Sequence, residues 1–284
     1  MSYTTFLTDL SEKIFTITLN RPEQMNSFTY QMGLELIQVF DEIDANDEVR
    51  AVIVTGAGKA FCAGADLSAA SGGKAFDSSK RDTLETHRDL GGQVTLRIFN
   101  SKKPVIAAMN GAAVGVGITM CLPMDVRIAS DRTKIGFVFA RRGIVPEACS
   151  SYFLPRIVGI SQAMEWVATG RVFTAEEALA GRLVSRIVPA EELLPAARAL
   201  GKEIAENTSP CSVALSRQLL WRMLGASHPM EAHRADSRGI YAMGRSGDAL
   251  EGVTSFLQKR PPNFPLKVSK DLPDLWPNWK DPEF

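Results

Sequence analysis

Apolar positions along the chain fall into runs of different period, and the period predicts the element. Residues 14–19 (IFTITL) read as a strand that Asn20, Arg21 and Pro22 close. Between 29 and 45, Met32, Leu36, Val39, Phe40 and Ile43 recur at helical spacing on one face, with Thr29 placed to cap the helix. Residues 51–55 (AVIVT) are continuously apolar, as in a strand buried on both faces. A glycine-rich loop follows, and the small polar residues 68–79 predict a mobile loop before a charged helix that carries His87 and runs to about residue 100. Next come a strand at 104–109, a glycine turn at 110–117 opening a buried helix, a strand at 125–129 and a short one near 134–137. Strands alternating with helices imply an α/β core. After about residue 188 the pattern is helical only, at 190–206, 210–224, 230–243 and 247–258. The proline-rich stretch 259–284 should be extended, with no core of its own. The chain thus divides into a core, 1–205, and a helical C-terminal region with a tail, 206–284.

Residues 104–124 carry no charge over a length that could cross a bilayer. Asn110-Gly111, Gly115, Gly117 and Pro123 interrupt that run, so it reads as the core of a soluble protein and not as a membrane span. The 284 residues bury roughly three quarters of the unfolded surface, enough to fold without a disulfide or metal staple. With 32 basic and 32 acidic side chains, no long-range field favours a nucleic acid or an anionic membrane. Cys62, Cys121, Cys149 and Cys211 form no CxxC pair, and only His87, His228 and His233 are available, so no metal site or histidine-based triad is expected. The first residues lack the basic and apolar segments of a signal peptide, and the chain reads as cytoplasmic and reduced.

The loop 56–67 (GAGKAFCAGADL) follows a strand, so nucleotide motifs must be tested. Phe61 occupies the third glycine position of GxGxxG, no acid stands where a ribose would need one, and no Gly-Lys-Ser/Thr is present. What remains is a loop whose small residues Ala63, Gly64 and Ala65 leave backbone N–H groups uncovered. The turn 110–117 has the same property at the mouth of a helix. One donor from each turn could bind an oxyanion; alternatively, the glycines serve tight turns only.

The segments FCAGADL (61–67), KKPVIAAMNGAAVGVG (102–117), DVRIASDRTKIGF (125–137) and GRVFTAEEALAGRLVSRIVP (170–189) occur in the order seen in the crotonase superfamily, which the chain resembles from about residue 3 to 260. That resemblance implies an α/β spiral of ββα units with a helical C-terminal trimerisation region, a homotrimer or dimer of trimers, and an acyl-CoA thioester substrate. Coenzyme A would enter as part of the substrate, with no separate cofactor. By the same likeness, the N–H groups of Ala65 and Val116 form an oxyanion hole for the thioester carbonyl. Ala63, Asp66 and Leu67 line the adenine and pantetheine path. Phe256 and Lys259 resemble a CoA contact often made to a neighbouring subunit.

Acid–base residues choose the reaction on this scaffold. The resemblance to hydratases puts Thr119 and Phe139 where a water-orienting glutamate pair is expected, and neither can deprotonate water as a carboxylate pair would. Glu147, in GIVPEACSSY (143–152), instead resembles the lone glutamate base of peroxisomal-type Δ3-Δ2 enoyl-CoA isomerases. A wall of Phe137, Phe139 and Ile144 is expected to raise its pKa and keep water out. The alternatives are a helix N-terminal acid at Glu147, a hydratase or other enolate reaction using Glu147 with water, and a catalytically silent acyl-CoA binder. Asp125 is expected to order the core, Asp66 to cap a helix or approach ligand, His87 to be solvated, and His228 and His233 to lack partners. Cys62 and Cys149 should be packing residues. Arg97, Arg141, Arg142, Lys59 and Arg260 are candidates for the CoA phosphates.

Overall fold

A computed structural model describes residues 3–68, 83–277 and 282–284. The loop expected at 68–79 lies outside the described residues except for Ser68. The chain opens with a hairpin of β1 (Phe6–Ser11) and β2 (Ile14–Leu19), and then forms α1 (Tyr30–Ala45). The Thr29 hydroxyl accepts the Met32 N–H and caps α1, as its position predicts. From there each turn of the chain gives one strand to each of two sheets. β3 (Ala51–Gly56) leads into β4 (Ala60–Cys62), and α2 (Leu90–Phe99) follows. β5 (Val105–Met109) leads into β6 (Ala112–Val114) and the short α3 (Val116–Thr119). β7 (Val126–Ser130) leads into β8 (Lys134–Gly136). The larger sheet runs β1-β2-β3-β5-β7 and closes on β10 (Arg186–Val188), parallel except for the hairpin. The smaller runs β4-β6-β8 and ends on β9 (Val172–Thr174). This alternation is a spiral of ββα units.

Residues 51–54 are apolar throughout because both faces of β3 are covered, and the buried Thr55 hydroxyl donates to the Ala108 carbonyl. Val52 and Val54 face the main core with Met32, Leu36 and Phe40 of α1. Ile53 faces a second cluster with Ile14, Ile106 and Ile128, roofed by Leu193 and Ala197 of α7 (Leu193–Asn207). Between β8 and α7 lie α4 (Ser150–Val158), α5 (Ile160–Thr169) and α6 (Ala175–Ala180).

The C-terminal part is helical: α8 (Pro210–Met223), α9 (Pro229–Met243) and α10 (Gly247–Gln258). Arg217 of α8, 5% exposed, ties this part to the spiral. Its guanidinium donates to the carbonyls of Ile98, Phe99, Ser101 and Pro123 and pairs with Asp125 at 2.9 Å. Asp125 also accepts from the Val105 N–H and Trp221 Nε1, so it orders the core. Among its described residues the tail, expected to be extended, holds one short helix, α11 (Val268–Asp271), which buries Val268 against Cys211 and Ala214 of α8.

Three expectations need correction. The turn 110–117 contains β6, and the helix after it has four residues, not a long buried run; Gly111 and Gly115 bracket a strand of small residues too short to show a period. His87 precedes α2, which begins at Leu90, where the Asp89 carboxylate accepts the Gly92 N–H at 2.6 Å. His228 has a partner: its Nδ1 accepts the Met230 N–H and caps α9. Among the described residues, no helix is long and apolar enough to cross a membrane, and no cluster of His, Cys, Asp or Glu could hold a metal.

Candidate functional site

The two uncovered turns meet. Phe28 bridges to Ala65 in parallel register through the Gly64 carbonyl and the Asp66 N–H, so the Ala65 N–H lies on the side away from Phe28. Gly64 has φ +108° there, a left-handed conformation that glycine permits. Val116 is the first residue of α3, whose leading N–H has no carbonyl within the helix to receive it. The turns touch backbone to backbone: a Cβ at Gly117 would overlap the Cys62 carbonyl oxygen. Ala65 and Val116 both line one cavity of about 890 Å³.

Glu147 forms part of the same wall. It precedes α4, and the turn between them holds Ala148 and Cys149 at φ 53° and 54°. Two consecutive left-handed non-glycine residues cost on the order of 1–3 kcal/mol each, so surrounding contacts must hold the turn. One is the Ala148 N–H, which donates to Asp89 at 3.1 Å. The Glu147 carbonyl accepts the Ser150 N–H and hydroxyl, while its carboxylate accepts the Thr119 hydroxyl at 2.6 Å. The carboxylate is therefore turned away from service as a cap for α4. Its second oxygen lies against Gly91 of α2. Burial pushes the Glu147 pKa up to about 7; the Thr119 bond works downward and the nearby Asp89 carboxylate upward.

The structure sorts the remaining candidates. Ala63, Ala65, Leu67, Val116 and Glu147 share the cavity wall. Asp66 does not line it; hydrogen bonds from Ser68 and Arg21 hold its pKa at about 2, and the ion pair with Arg21 is 2.8 Å long. Phe256 is 81% exposed on α10 and Lys259 ends that helix, and neither lines this chain's cavity. Phe139 and Ile144 line the same cavity as Glu147, whereas Phe137 is stacked with Trp166 and Phe173 in the core. Burial pushes the Cys62 thiol up to about 12 and raises Cys149 as well, which makes both poor nucleophiles. Arg97 is paired with Asp41 and Asp44, Arg260 with Glu251, and Arg141 donates to the Thr169 carbonyl; Arg142 borders the cavity. Sequence reading missed Tyr30, His87, Arg88 and Asp89 as wall residues. Asp89 had a usable signal, an Asp followed by a helical pattern, which marks an N-cap.

The enoyl-CoA hydratase/isomerase family profile matches residues 9–267. Over 257 residues the chain is 43% identical to the enoyl-CoA hydratase ACTT3 of Alternaria alternata, covering 89% of this chain and 83% of that one. It is 32% identical over 267 residues to the 1,2-epoxyphenylacetyl-CoA isomerase of Escherichia coli K12, covering 91% and 97%. Among solved structures, a probable enoyl-CoA hydratase/isomerase from Mycobacterium abscessus superposes with a TM-score of 0.82 at 34% identity, covering 92% and 98%. The matched length and the two-sheet spiral agree: the chain belongs to the enoyl-CoA hydratase/isomerase family of the crotonase superfamily.

Proposed function

We propose that this protein isomerises 3-enoyl-CoA thioesters to 2-enoyl-CoA, with Glu147 as the base and the N–H groups of Ala65 and Val116 as the oxyanion donors. The observation that carries the reading is the buried Glu147 carboxylate, its pKa raised to about 7, on the same cavity wall as Ala65 and Val116. Two converging N–H donors stabilise charge on a thioester oxygen as it develops. Glu147 takes a proton from C2, and the C–H electron pair moves to the carbonyl to give a dienolate. The same carboxyl then delivers the proton to C4, leaving the double bond between C2 and C3. One carboxylate suffices, and a pKa near 7 suits a group that must take and return a proton at neutral pH. Thr119 and Phe139 offer no second base.

Hydration is the second reading. Relatives named hydratases favour it, and Asp89 supplies another carboxylate on the wall beside Glu147. Coenzyme A enters as part of the substrate. Ala63 and Leu67 border its path, and Arg142 at the cavity edge suits a phosphate. The outward apolar side chains Ile240, Tyr241, Leu250, Val253, Phe256 and Leu257 of α9 and α10 support assembly into a trimer. In that assembly Phe256 and Lys259 would serve a neighbouring cavity.

The test is turnover of 3-enoyl-CoA and 2-enoyl-CoA in parallel, with Glu147→Gln alongside. Isomerisation without net hydration, reduced about 10²–10⁴-fold in the variant, supports the reading. Hydration that survives Glu147→Gln sinks it. Binding of an acyl-CoA with no turnover of either ester points to a silent binder.

A further inference from the structure

Glu147 is restrained by two side chains with no place in the proton transfer itself. Thr119 closes the short helix whose first N–H is the Val116 donor. Its side chain is fully buried, and its hydroxyl points at Glu147 Oε1 from 2.6 Å. Asp89 acts through the backbone. As the N-cap of α2 it accepts the Gly92 N–H at 2.6 Å, and it also accepts the Ala148 N–H at 3.1 Å, one residue beyond Glu147. That second bond fastens the left-handed turn at Ala148 and Cys149 to the start of α2, the helix whose Gly91 backs the carboxylate.

We propose that Thr119 and Asp89 are positioning residues that hold Glu147, Thr119 through a hydrogen bond to its carboxylate and Asp89 through the turn that carries it and through its own negative charge. This rests on Glu147 being the base. The two restraints act on the proton in opposite senses. A hydroxyl donating to a carboxylate favours the ionised form, while a neighbouring carboxylate disfavours it. Burial alone would leave the base protonated and idle at neutral pH. The Thr119 bond opposes burial, and Asp89 keeps the group basic enough to capture a carbon-bound proton.

Other charged or titratable groups face this carboxyl. Tyr30, His87, Arg88 and Arg142 border the same cavity, and the Cys62 and Cys149 thiols are near enough for the Glu147 charge to raise them further. The arginines keep a constant charge, and burial holds the thiols in their neutral form. Imidazole as a class changes charge near neutrality, so His87→Gln serves as the control for that group.

The experiment is kcat/KM for 3-enoyl-CoA against pH in the wild type, Thr119→Val, Thr119→Ser, Asp89→Asn, His87→Gln and Glu147→Gln, with a thermal melt of each. Thr119→Val should move the acid limb up by about one to two pH units, a roughly 10- to 100-fold loss below both limbs that shrinks at high pH. Thr119→Ser keeps the hydroxyl and should restore the wild-type limb. Asn keeps an N-cap acceptor, so Asp89→Asn should move the limb down by less than Thr119→Val moves it up, and by less still as salt is added. If Thr119→Val does not fold, Thr119→Ala supplies the same deletion. Acid limbs that stay in place while all rates fall would reduce both residues to packing and overturn the proposal. A limb that moves only with His87→Gln also overturns it, by assigning the titration elsewhere. Full activity in Glu147→Gln removes the underlying reading instead, so the two failures are distinguishable.

Discussion

A single methyl group at Gly91 separates the position of Glu147 from the stability of the fold. An ideal Cβ there would overlap Glu147 Oε2 and would lie 3.2 Å from Ala148 Cβ and 3.4 Å from Val116 Cγ2. The last two are contacts a well-packed wall absorbs with small adjustments. The first is not, and the carboxylate is the freer partner. To reach ordinary contact it must retreat by about 1 Å or more, a misplacement that costs on the order of 10²-fold when the group is the base. Alanine has no quarrel with the backbone, since Gly91 sits in the first turn of α2 and is absent from the residues with positive φ. Replacing a helical glycine by alanine contributes up to about 1 kcal/mol, which offsets the local crowding. Gly91→Ala should therefore melt within a few degrees of the wild type while kcat/KM for 3-enoyl-CoA falls about 10²-fold. Steady-state kinetics beside a thermal melt reads both. Unchanged turnover with an unchanged melt would refute the reasoning, because the crowded carboxylate would then not be the one that moves the proton.

Other expectations test separate links. Isomerisation should rise with pH through about 7 as the base ionises, which a kcat/KM profile reads. The linkage has the opposite sense for folding. A carboxyl raised above its unfolded value contributes stability that is complete below the unfolded pKa and lost as pH rises through about 7, so Glu147→Gln should melt higher than the wild type above pH 7. Arg217→Met leaves Asp125 and four carbonyls without their buried donor and should cost about 3–5 kcal/mol in urea unfolding. Gly117→Ala drives a methyl into the Cys62 carbonyl and should reduce soluble yield and the melting temperature together. Val253→Glu on the outer face of α10 should lower the sedimentation coefficient if α9 and α10 carry the assembly contact, with the far-UV spectrum unchanged.

What the sequence made legible follows from how local each signal is. α1 was readable end to end because its cap and its apolar face lie within one segment. β3 was readable because burial on both faces leaves the four-residue run 51–54 with no polar interruption. β4 and β6 were not. Each has three residues, and their pairing joins positions about fifty residues apart, so neither period nor turn chemistry marks them. The same distinction governs the site. The small residues at 63–65 and the glycines at 115 and 117 announced exposed backbone, and the motif around Glu147 announced an acid. The bond from Thr119 to Glu147, and the reach of Asp89 to Ala148, join segments separated by 28 and 59 residues. Tertiary contact creates them, and no local pattern encodes them.

The division of labour in the spiral explains why one scaffold can change its reaction. The turns that carry Ala65 and Val116 are set by backbone contacts: the bridge from Phe28 to Ala65, and the approach of Gly117 to Cys62. Side-chain substitution on the wall leaves those contacts intact. Thr119 shows the consequence. Its hydroxyl sits one short helix away from the Val116 amide, and it bonds the carboxylate that arrives on the turn before α4. A carboxylate at residue 119 would instead crowd a second negative charge onto Glu147 and raise its pKa further. Thr119→Glu should therefore not create a cooperating pair in this cavity; it should shift the acid limb of isomerisation upward and lower the rate at neutral pH. Hydration of 2-enoyl-CoA gained by Thr119→Glu, with the acid limb unmoved, would show that the wall around residue 119 already orients water for two carboxylates.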